Sequence, residues 1–164
     1  MNRPLSIAIL DDHSITIDGY RARLAQDPAL RIAWTTPFGE EVLDRLDQQP
    51  VDILILDVSV PTSATNPNPY PILDVIPRLL DRHPALTIVV ISMHMESRLV
   101  KGVLRLGASG YVLKDDRAAL DRLDQIVRAA AAGDLYVSPL AERRWRERQD
   151  PADPALTPRQ LQAL

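Results

Sequence analysis

The stretch Val51-Asp52-Ile53-Leu54-Ile55-Leu56-Asp57 decides the fold, because it is a short, almost unbroken apolar run that stops at a carboxylate. Its length and its β-branched content predict a strand that is buried on both faces, as in parallel sheets. Ligands of such sheets lie just beyond the carboxyl ends of the strands. Asp57 is therefore expected at the edge of the sheet where ligands bind.

Three other stretches repeat this pattern of a buried strand followed by a polar side chain. They are Leu5–Leu10 before Asp11 and Asp12, residues 86–91 before Ser92, and residues 109–113 before Lys114. If these strands lie side by side and parallel, three carboxylates, a hydroxyl and an ammonium meet at one sheet edge. Strand and helix patterns alternate five times along the chain. This alternation predicts an α/β fold with helices on both faces of a parallel sheet.

The helix boundaries follow from apolar periodicity and from Gly and Pro positions. Helices are expected over residues 14–26, 38–48, 96–106 and 117–132, and another should end near His83. If Asp74 is the N-cap of that helix, Pro77 falls in the first turn, where no amide is needed. Residues 135–137 are predicted to be extended, and Ser138 to open a further helix.

Length and composition narrow the functional classes. The 164 residues suffice for one domain with a hydrophobic core. The absence of Cys excludes disulfides, thiolate metal sites and a Cys nucleophile. No apolar run has membrane-spanning length and no signal peptide is visible, which predicts a cytoplasmic protein without a membrane partner. The net charge of -3 gives no electrostatic argument that this stretch binds nucleic acid by itself.

The predicted cluster at the sheet edge has the composition of a phosphoryl-transfer site. Crowded carboxylates need a cation, and Mg²⁺ prefers one or two carboxylates together with waters and a phosphate. Asp11 and Asp12 are the candidate ligands, one direct and one through water. Lys114 and Ser92 would complete a receptor for phosphoryl oxygens. Asp57 is the candidate nucleophile, forming an aspartyl phosphate, because its strand should be central.

Each of these residues alone has an ordinary explanation. Asp11 or Asp12 after a strand is more often a helix N-cap than a metal ligand, by about two to one. Lys114 alone would be a solvated strand end. His13 and His94 are expected to be polar surface residues, and their spacing indicates no metal site. Only the conjunction of the strand ends favours the phosphoryl-transfer interpretation.

These same residues give the chain its resemblance to a known family. It resembles a response-regulator receiver domain, and in detail the transcriptional regulators of the NarL/LuxR type. The motifs are Ile9-Leu10-Asp11-Asp12-His13, Leu56-Asp57-Val58-Ser59-Val60-Pro61, Val89-Val90-Ile91-Ser92-Met93-His94 and Gly110-Tyr111-Val112-Leu113-Lys114. Residues 133–139 resemble the end of the receiver in that subfamily, and residues 156–164 resemble the first helix of its helix-turn-helix domain.

The resemblance implies an architecture and a domain organisation. The fold would be flavodoxin-like (CheY-like), a doubly wound five-stranded parallel sheet with strand order 2-1-3-4-5. The receiver would cover residues 1–134 and a linker residues 135–156. Residues 157–164 would be the start of a helix-turn-helix domain that is truncated here. DNA would be bound only through that missing C-terminal domain.

The resemblance also implies roles for the site residues. Asp57 would accept the phosphoryl group from a sensor histidine kinase, and Lys114 would pair with the phosphoryl oxygens. The Mg²⁺ ion would be held by Asp11, Asp12, Asp57 and the backbone carbonyl of Ser59.

A second set of residues would form the switch. Ser92 would turn toward the phosphoryl group, and Tyr111 would move inward behind it, although by default Tyr111 is a half-buried packing residue. Ser59 and His94 would modulate the hydrolysis of the phosphoryl group. The altered surface would be the helix after Ser92, the last strand and the last helix, and activation would favour a homodimer.

The loop over residues 62–71 departs from the family, because it is longer than usual and lacks Gly. It could shield the acyl phosphate, hinder a kinase or mark a regulator used in another way. The leading expectation is a signalling protein and not an enzyme. One alternative is a receiver-like module that switches by dimerisation or ligand binding without phosphorylation. The other is a Mg²⁺-dependent phosphohydrolase, which would need a general acid near Asp57 and a substrate cap that the sequence does not show.

Overall fold

The computed structural model describes residues 3–147. Residues 148–156 of the predicted linker and the predicted helix start at residues 157–164 lie outside this range. The strands are β1 (Leu5–Leu10), β2 (Leu30–Thr36), β3 (Ile53–Leu56), β4 (Thr87–Ser92), β5 (Gly110–Leu113) and β6 (Tyr136–Val137). The helices are α1 (Ser14–Leu24), α2 (Glu41–Gln48), α3 (Ile72–Arg82), α4 (Ser97–Arg105), α5 (Arg117–Leu120), α6 (Leu123–Ala131) and α7 (Pro139–Glu147). None of the helices within the described range is long and apolar enough to cross a membrane.

The strands form one parallel sheet in the order β2-β1-β3-β4-β5-β6. The predicted order of the first five strands is confirmed, but the prediction of five strands is wrong. Gly133, with φ of 101°, reverses the chain after α6. The amides of Tyr136 and Ser138 then donate to the carbonyls of Ser109 and Tyr111, at 3.0 and 2.9 Å. These two bonds attach β6 to the edge of β5.

The two faces of the sheet carry separate hydrophobic cores, as the alternation of side chains along a strand requires. Leu54 and Leu56 of β3 pack with the helices α2, α3, α4 and α7. Ile53 and Ile55 of the same strand pack with α1, α5 and α6. All four residues are buried. The prediction of a strand buried on both faces, with helices on both sides, is therefore confirmed.

Two predicted helices differ from the structure by more than two residues or by a break. Helix α2 begins at Glu41 and not at residue 38. Gly39 and Glu40, just before it, donate their amides to the carbonyls of Pro61 and Thr62, at 3.1 and 3.0 Å. The predicted helix over residues 117–132 is divided into α5 and α6. Asp116 caps α5, since its carboxylate accepts from the amide of Ala119.

Asp74 is not the N-cap of α3, so the condition that would place Pro77 in the first turn is not met. The helix begins at Ile72, so Asp74 lies in its first turn and Pro77 lies inside the helix. The earlier start buries Ile72 in the core under α3. Pro77 lacks an amide, so this start leaves the carbonyl of Leu73 without its usual helical donor.

Candidate functional site

The carboxyl ends of β1 and β3 bring Asp11 and Asp57 side by side. Leu10 pairs with Leu56 in the parallel register, and the next residues along the chain are the two acids. The amide of Asp57 donates to the carbonyl of Leu10 at 2.9 Å, which extends the ladder by one bond. Both carboxylates are almost completely buried, with residue exposures of 1% and 2%.

Lys114 bridges these two carboxylates from the end of β5. Its Nζ atom lies 2.8 Å from Oδ2 of Asp11 and 2.6 Å from Oδ2 of Asp57. Burial lowers the pKa of Lys114, but its hydrogen bonds to Asp11 and Asp57 and their negative charges outweigh burial, so the pKa is raised overall. Lys114 therefore stays protonated at neutral pH and presents a fixed positive charge.

Backbone amides hold the remaining oxygen atoms of the two acids. The amide of His13 donates to Oδ1 of Asp11 at 2.9 Å, and the amide of Ser59 donates to Oδ1 of Asp57 at 3.1 Å. Each bond joins a carboxylate to the residue two positions later, which is a common turn arrangement of Asp. The loops after β1 and β3 thus fix the orientation of both carboxylates.

Asp12 and His13 extend this pair into a cluster that fits a metal ion. Ligand atoms of Asp11, Asp12, His13 and Asp57 all lie within 4.8 Å of one another. Asp12 adds a third carboxylate to the two that share the ammonium of Lys114, so the cluster has more carboxylates than ammonium groups. Oxygen ligands in this number suit a hard cation such as Mg²⁺.

His13 was expected to be a surface residue, and its ring is indeed exposed. The ring nevertheless joins the cluster, with Nδ1 at 3.0 Å from Asp12 and 3.4 Å from Asp11. Its position directly after two Asp residues was the only signal in the sequence for this contact.

Ser92 and Tyr111 both bind the backbone of His94. The Ser92 hydroxyl accepts from the amide of His94 at 3.0 Å, and the Tyr111 hydroxyl donates to the carbonyl of His94. Tyr111 is fully buried rather than half-buried. Burial raises the pKa of Tyr111 to about 12, so its hydroxyl stays neutral and remains a donor. The two predicted switch residues therefore hold the same loop, which connects β4 to α4.

Ser59 and His94 meet beside Asp57. The Ser59 hydroxyl lies 2.7 Å from Nε2 of His94, and the other ring nitrogen of His94 lies 3.7 Å from a carboxylate oxygen of Glu96. This contact joins the loop after β3 to the loop after β4. The sequence placed each residue next to a key position, and the structure brings the two together.

The unusual loop after β3 forms an ordered hairpin. Pro61 and Pro69 make an antiparallel bridge, and the amide of Thr62 donates to the carbonyl of Asn68 at 2.9 Å. The ring of Tyr70 packs so closely on Gly39 that a Cβ atom at Gly39 would lie 2.0 Å from it. The hairpin is therefore fixed against the start of α2.

This hairpin also forms one wall of a groove of about 830 Å³. Its lining includes Pro69 and Tyr70 from the hairpin, Leu99 from α4, and both Ser59 and His94. The groove therefore begins next to the residues that flank Asp57.

Comparison with known proteins identifies the family. Residues 7–128 match the family model described as the response regulator receiver domain. The chain belongs to this family. The match covers the strand ends that carry Asp11, Asp57, Ser92 and Lys114, so the receiver domain contains the whole cluster.

Relatives of this receiver domain are transcriptional regulators. It is 29% identical over 139 residues to the transcriptional regulatory protein DegU of Brevibacillus brevis, a match that covers 82% of this chain and 53% of DegU. It is 30% identical over 148 residues to the transcriptional regulatory protein UhpA of Salmonella typhimurium, covering 90% of this chain and 69% of UhpA. The chain thus spans little more than half the length of DegU.

Solved structures show the same fold. A LuxR-family response regulator from Aurantimonas aligns with a TM-score of 0.74 at 24% identity, over 88% of this chain and 96% of that one. The response regulator RcsB of Salmonella typhimurium aligns with a TM-score of 0.75 at 24% identity, over 96% of this chain and 74% of that one. These likenesses support the flavodoxin-like α/β fold of the receiver.

Proposed function

We propose that Asp57 accepts a phosphoryl group from a sensor histidine kinase and that the receiver thereby controls a C-terminal DNA-binding domain. The observation that carries the proposal is the bridge of Lys114 between Asp11 and Asp57, with Asp12 beside them. Excess carboxylate around one fixed ammonium is the arrangement that a metal-assisted phosphoryl acceptor needs.

The residues of the cluster have distinct roles in this reaction. A carboxylate oxygen of Asp57 attacks the phosphorus atom, and the bond from phosphorus to the histidine nitrogen of the donor breaks as the new O–P bond forms. Lys114 stabilises the negative charge on the phosphoryl oxygens. Asp11, Asp12, Asp57 and the backbone carbonyl of Ser59 would hold Mg²⁺, whose chemical contribution is to neutralise phosphoryl charge.

The residues around His94 would transmit and time the signal. Ser92 would turn its hydroxyl toward the phosphoryl oxygens, and Tyr111 would support the displaced loop from its buried position. The Ser59–His94 contact lies beside Asp57, whose carboxylate accepts from the amide of Ser59, so these two residues would set how quickly water reaches the acyl phosphate.

The wider assembly is proposed from the relatives. A receiver over residues 1–134, a linker over 135–156 and a helix-turn-helix domain from residue 157 would match the organisation of a LuxR-type regulator. One of the matching structures shows RcsB dimers bound to DNA, which supports a homodimer as the active form here. The described part of the linker forms β6 and α7, which pack on the receiver.

Incubation with acetyl phosphate and Mg²⁺, followed by Phos-tag electrophoresis, tests the phosphoacceptor. The wild-type chain should give a retarded band, and Asp57→Asn should give none because the nucleophile is lost. Asp52→Asn is the matched control, since it makes the same change at the other end of β3 and should keep the band. A retarded band that persists in Asp57→Asn would show that another residue is modified.

The groove beside Ser59 and His94 favours a second candidate function. Its volume of about 830 Å³ lies in the range of small-molecule sites, and the hairpin over residues 61–70 forms one wall. In this alternative a bound ligand, rather than phosphorylation, would change the loop after β4. A wild-type chain that binds Mg²⁺ but shows no retarded band after acetyl phosphate treatment would favour it.

A further inference from the structure

Helix α7 is attached to the loop that carries Lys114. Asp116 lies two residues after Lys114 and is buried. Its carboxylate accepts hydrogen bonds from the N-termini of two helices. Its Oδ1 atom accepts from the amide of Ala119 in α5 at 3.1 Å, and its Oδ2 atom accepts from the amide of Leu140 in α7 at 2.9 Å. One side chain therefore caps both helices and holds the start of α7 beside the phosphoryl site.

Ser138 makes a second attachment on the other side of Lys114. Its buried hydroxyl accepts from the amide of Leu113, the last residue of β5, at 3.2 Å. It also accepts from the amide of Ala141 in the first turn of α7, at 3.4 Å. The start of α7 is thus bonded to the residues immediately before and shortly after Lys114.

Arg144 connects α7 to both loops of the site. One guanidinium nitrogen lies 2.9 Å from a carboxylate oxygen of Asp115, the residue after Lys114. Another donates to the sulfur of Met95 at 3.1 Å, and Met95 directly follows His94. A single side chain of α7 therefore contacts the residue after Lys114 and the residue after His94.

Trp145 anchors the same helix in the core. It is buried in the cluster under α4 together with Ala141, which lies one turn earlier. The ammonium of Lys101 in α4 lies 5.7 Å from the centre of the Trp145 ring, within the range of a cation–π interaction. Arg143 and Arg146 lie on the exposed side of the helix. The helix thus has one face that contacts the loops of the site and another that faces solvent.

We propose that α7 is a clamp on the phosphoryl site, and that its docking and the phosphorylation of Asp57 oppose each other. The proposal rests on the proposed function. A phosphoryl group would draw Lys114 toward its oxygens, which moves the backbone that presents Asp115 and Asp116 to α7. A turn of Ser92 toward the same oxygens would break its bond to the amide of His94 and release the loop that presents Met95.

The coupling must act in both directions, because two linked equilibria change each other by the same factor. If phosphorylation loosens α7, then a variant that loosens α7 must bind a phosphoryl mimic more tightly. Because the chain continues directly from α7, its release would carry the change toward the residues after Glu147. The clamp therefore supplies a physical path from Asp57 to whatever follows the receiver.

Beryllofluoride, an acyl-phosphate mimic, tests the clamp in the full 164-residue chain with Mg²⁺. Binding at Asp57 is followed by ¹⁹F NMR, with Asp57→Asn as the blank. Docking of α7 is followed by the fluorescence of Trp145, obtained by subtracting the Trp145→Phe spectrum so that the signal of Trp34 is removed. Beryllofluoride should shift the Trp145 emission to longer wavelength, because the ring enters water as the helix leaves.

Arg144→Ala should raise the apparent affinity for beryllofluoride by about fivefold or more, the lower end of typical coupling. Arg146→Ala is the matched control, since it removes the same side chain from the exposed face, and it should change the affinity by less than about twofold, a small fraction of typical coupling. Asp115→Asn removes the same ion pair from its other side and should act in the same direction as Arg144→Ala.

Two results would overturn the proposal and can be told apart. If beryllofluoride binds while the Trp145 emission stays constant and Arg144→Ala behaves like Arg146→Ala, the clamp is refuted and the phosphoacceptor role of Asp57 stands. If the wild-type chain gives no bound ¹⁹F signal beyond that of Asp57→Asn, the proposed function fails and the clamp fails with it.

Discussion

Strand β3 has an aspartate next to each end, and the two have opposite surroundings. Asp52 lies just before the strand, and its carboxylate accepts hydrogen bonds from two guanidinium nitrogens of Arg3, at 2.8 and 2.6 Å. It also accepts from the amide and the hydroxyl of Ser6, at 2.7 and 2.8 Å. Asp57, just after the strand, shares the single ammonium of Lys114 with Asp11 and lies close to Asp12. One end has one carboxylate for one cation, whereas the other has three carboxylates for one.

The difference shows how the same residue type can stabilise a fold or prepare a binding site. At Asp52, burial alone would raise the pKa, but the bonds from Arg3 and Ser6 outweigh it and lower the pKa to about 2. This charge is satisfied within the chain and joins the N-terminal segment to β3. The carboxylates around Asp57 outnumber the ammonium of Lys114, so a further cation bound at that end would be stabilised. The count of charges, more than their burial, separates the two ends.

Magnesium should have the largest effect on this comparison. At a Mg²⁺ concentration 100-fold above its dissociation constant, binding to the folded state should add about 2.7 kcal/mol to the free energy of unfolding. Asp12→Asn should lose most of this gain because it removes a candidate ligand, whereas Asp52→Asn should keep it. Urea unfolding with and without Mg²⁺ measures the gain. An equal gain in Asp12→Asn and the wild type would place the cation elsewhere.

The next largest effect should come from Asp52→Asn without metal. The substitution removes the charge that accepts from Arg3 and Ser6, and hydrogen bonds to charged groups contribute about 1.5–3 kcal/mol. We expect the free energy of unfolding to fall by about that amount, measured by urea unfolding at neutral pH. Ser6→Ala removes only the hydroxyl donor and should cost less. A stability unchanged in Asp52→Asn would mean that the bonds at this end are offset by the burial of the charge.

The convergence of the acids could be predicted from sequence, because it depends only on where buried strands end. Residues 53–56 and 5–10 are apolar runs, and parallel strands deliver the residues after them to one edge. The positions of Asp11, Asp57 and Lys114 follow from that rule. No detail of side-chain packing is needed to reach it.

Features that depend on contacts distant in sequence could not be predicted. Strand β6 has only two residues and exists because it pairs with β5. The amides of Gly39 and Glu40, just before α2, bond to the loop after β3. Helix α7 contains three Arg residues, and a fourth, Arg148, follows it directly in the sequence. This pattern is typical of a solvated helix. Only the spacing of Ala141 and Trp145, four residues apart, indicated that one of its faces is buried.

Acid should remove the stabilisation at Asp52. Its folded-state pKa of about 2 is below the value of about 3.9 for an unfolded chain, so its contribution is complete above about pH 5. The contribution is lost as the pH falls through 3.9 toward 2. The difference in unfolding free energy between the wild type and Asp52→Asn should therefore shrink from pH 5 to pH 3. A difference that stays constant over this range would rule out the lowered pKa.

Arg3→Ala should have the smallest effect, because Arg3 is largely exposed and Ser6 still donates two hydrogen bonds to Asp52. Exposed ion pairs are weakened by salt, since the Debye length falls to about 3 Å at 1 M. The urea midpoint of Arg3→Ala should lie below that of the wild type in dilute buffer and approach it at high salt. The deficit of Asp52→Asn should persist at high salt, because the partly buried bonds from Ser6 are screened much less. If instead Arg3→Ala lowers the free energy of unfolding as much as Asp52→Asn at every salt concentration, Arg3 alone stabilises Asp52. The two ends of β3 would then differ only in their affinity for a metal ion.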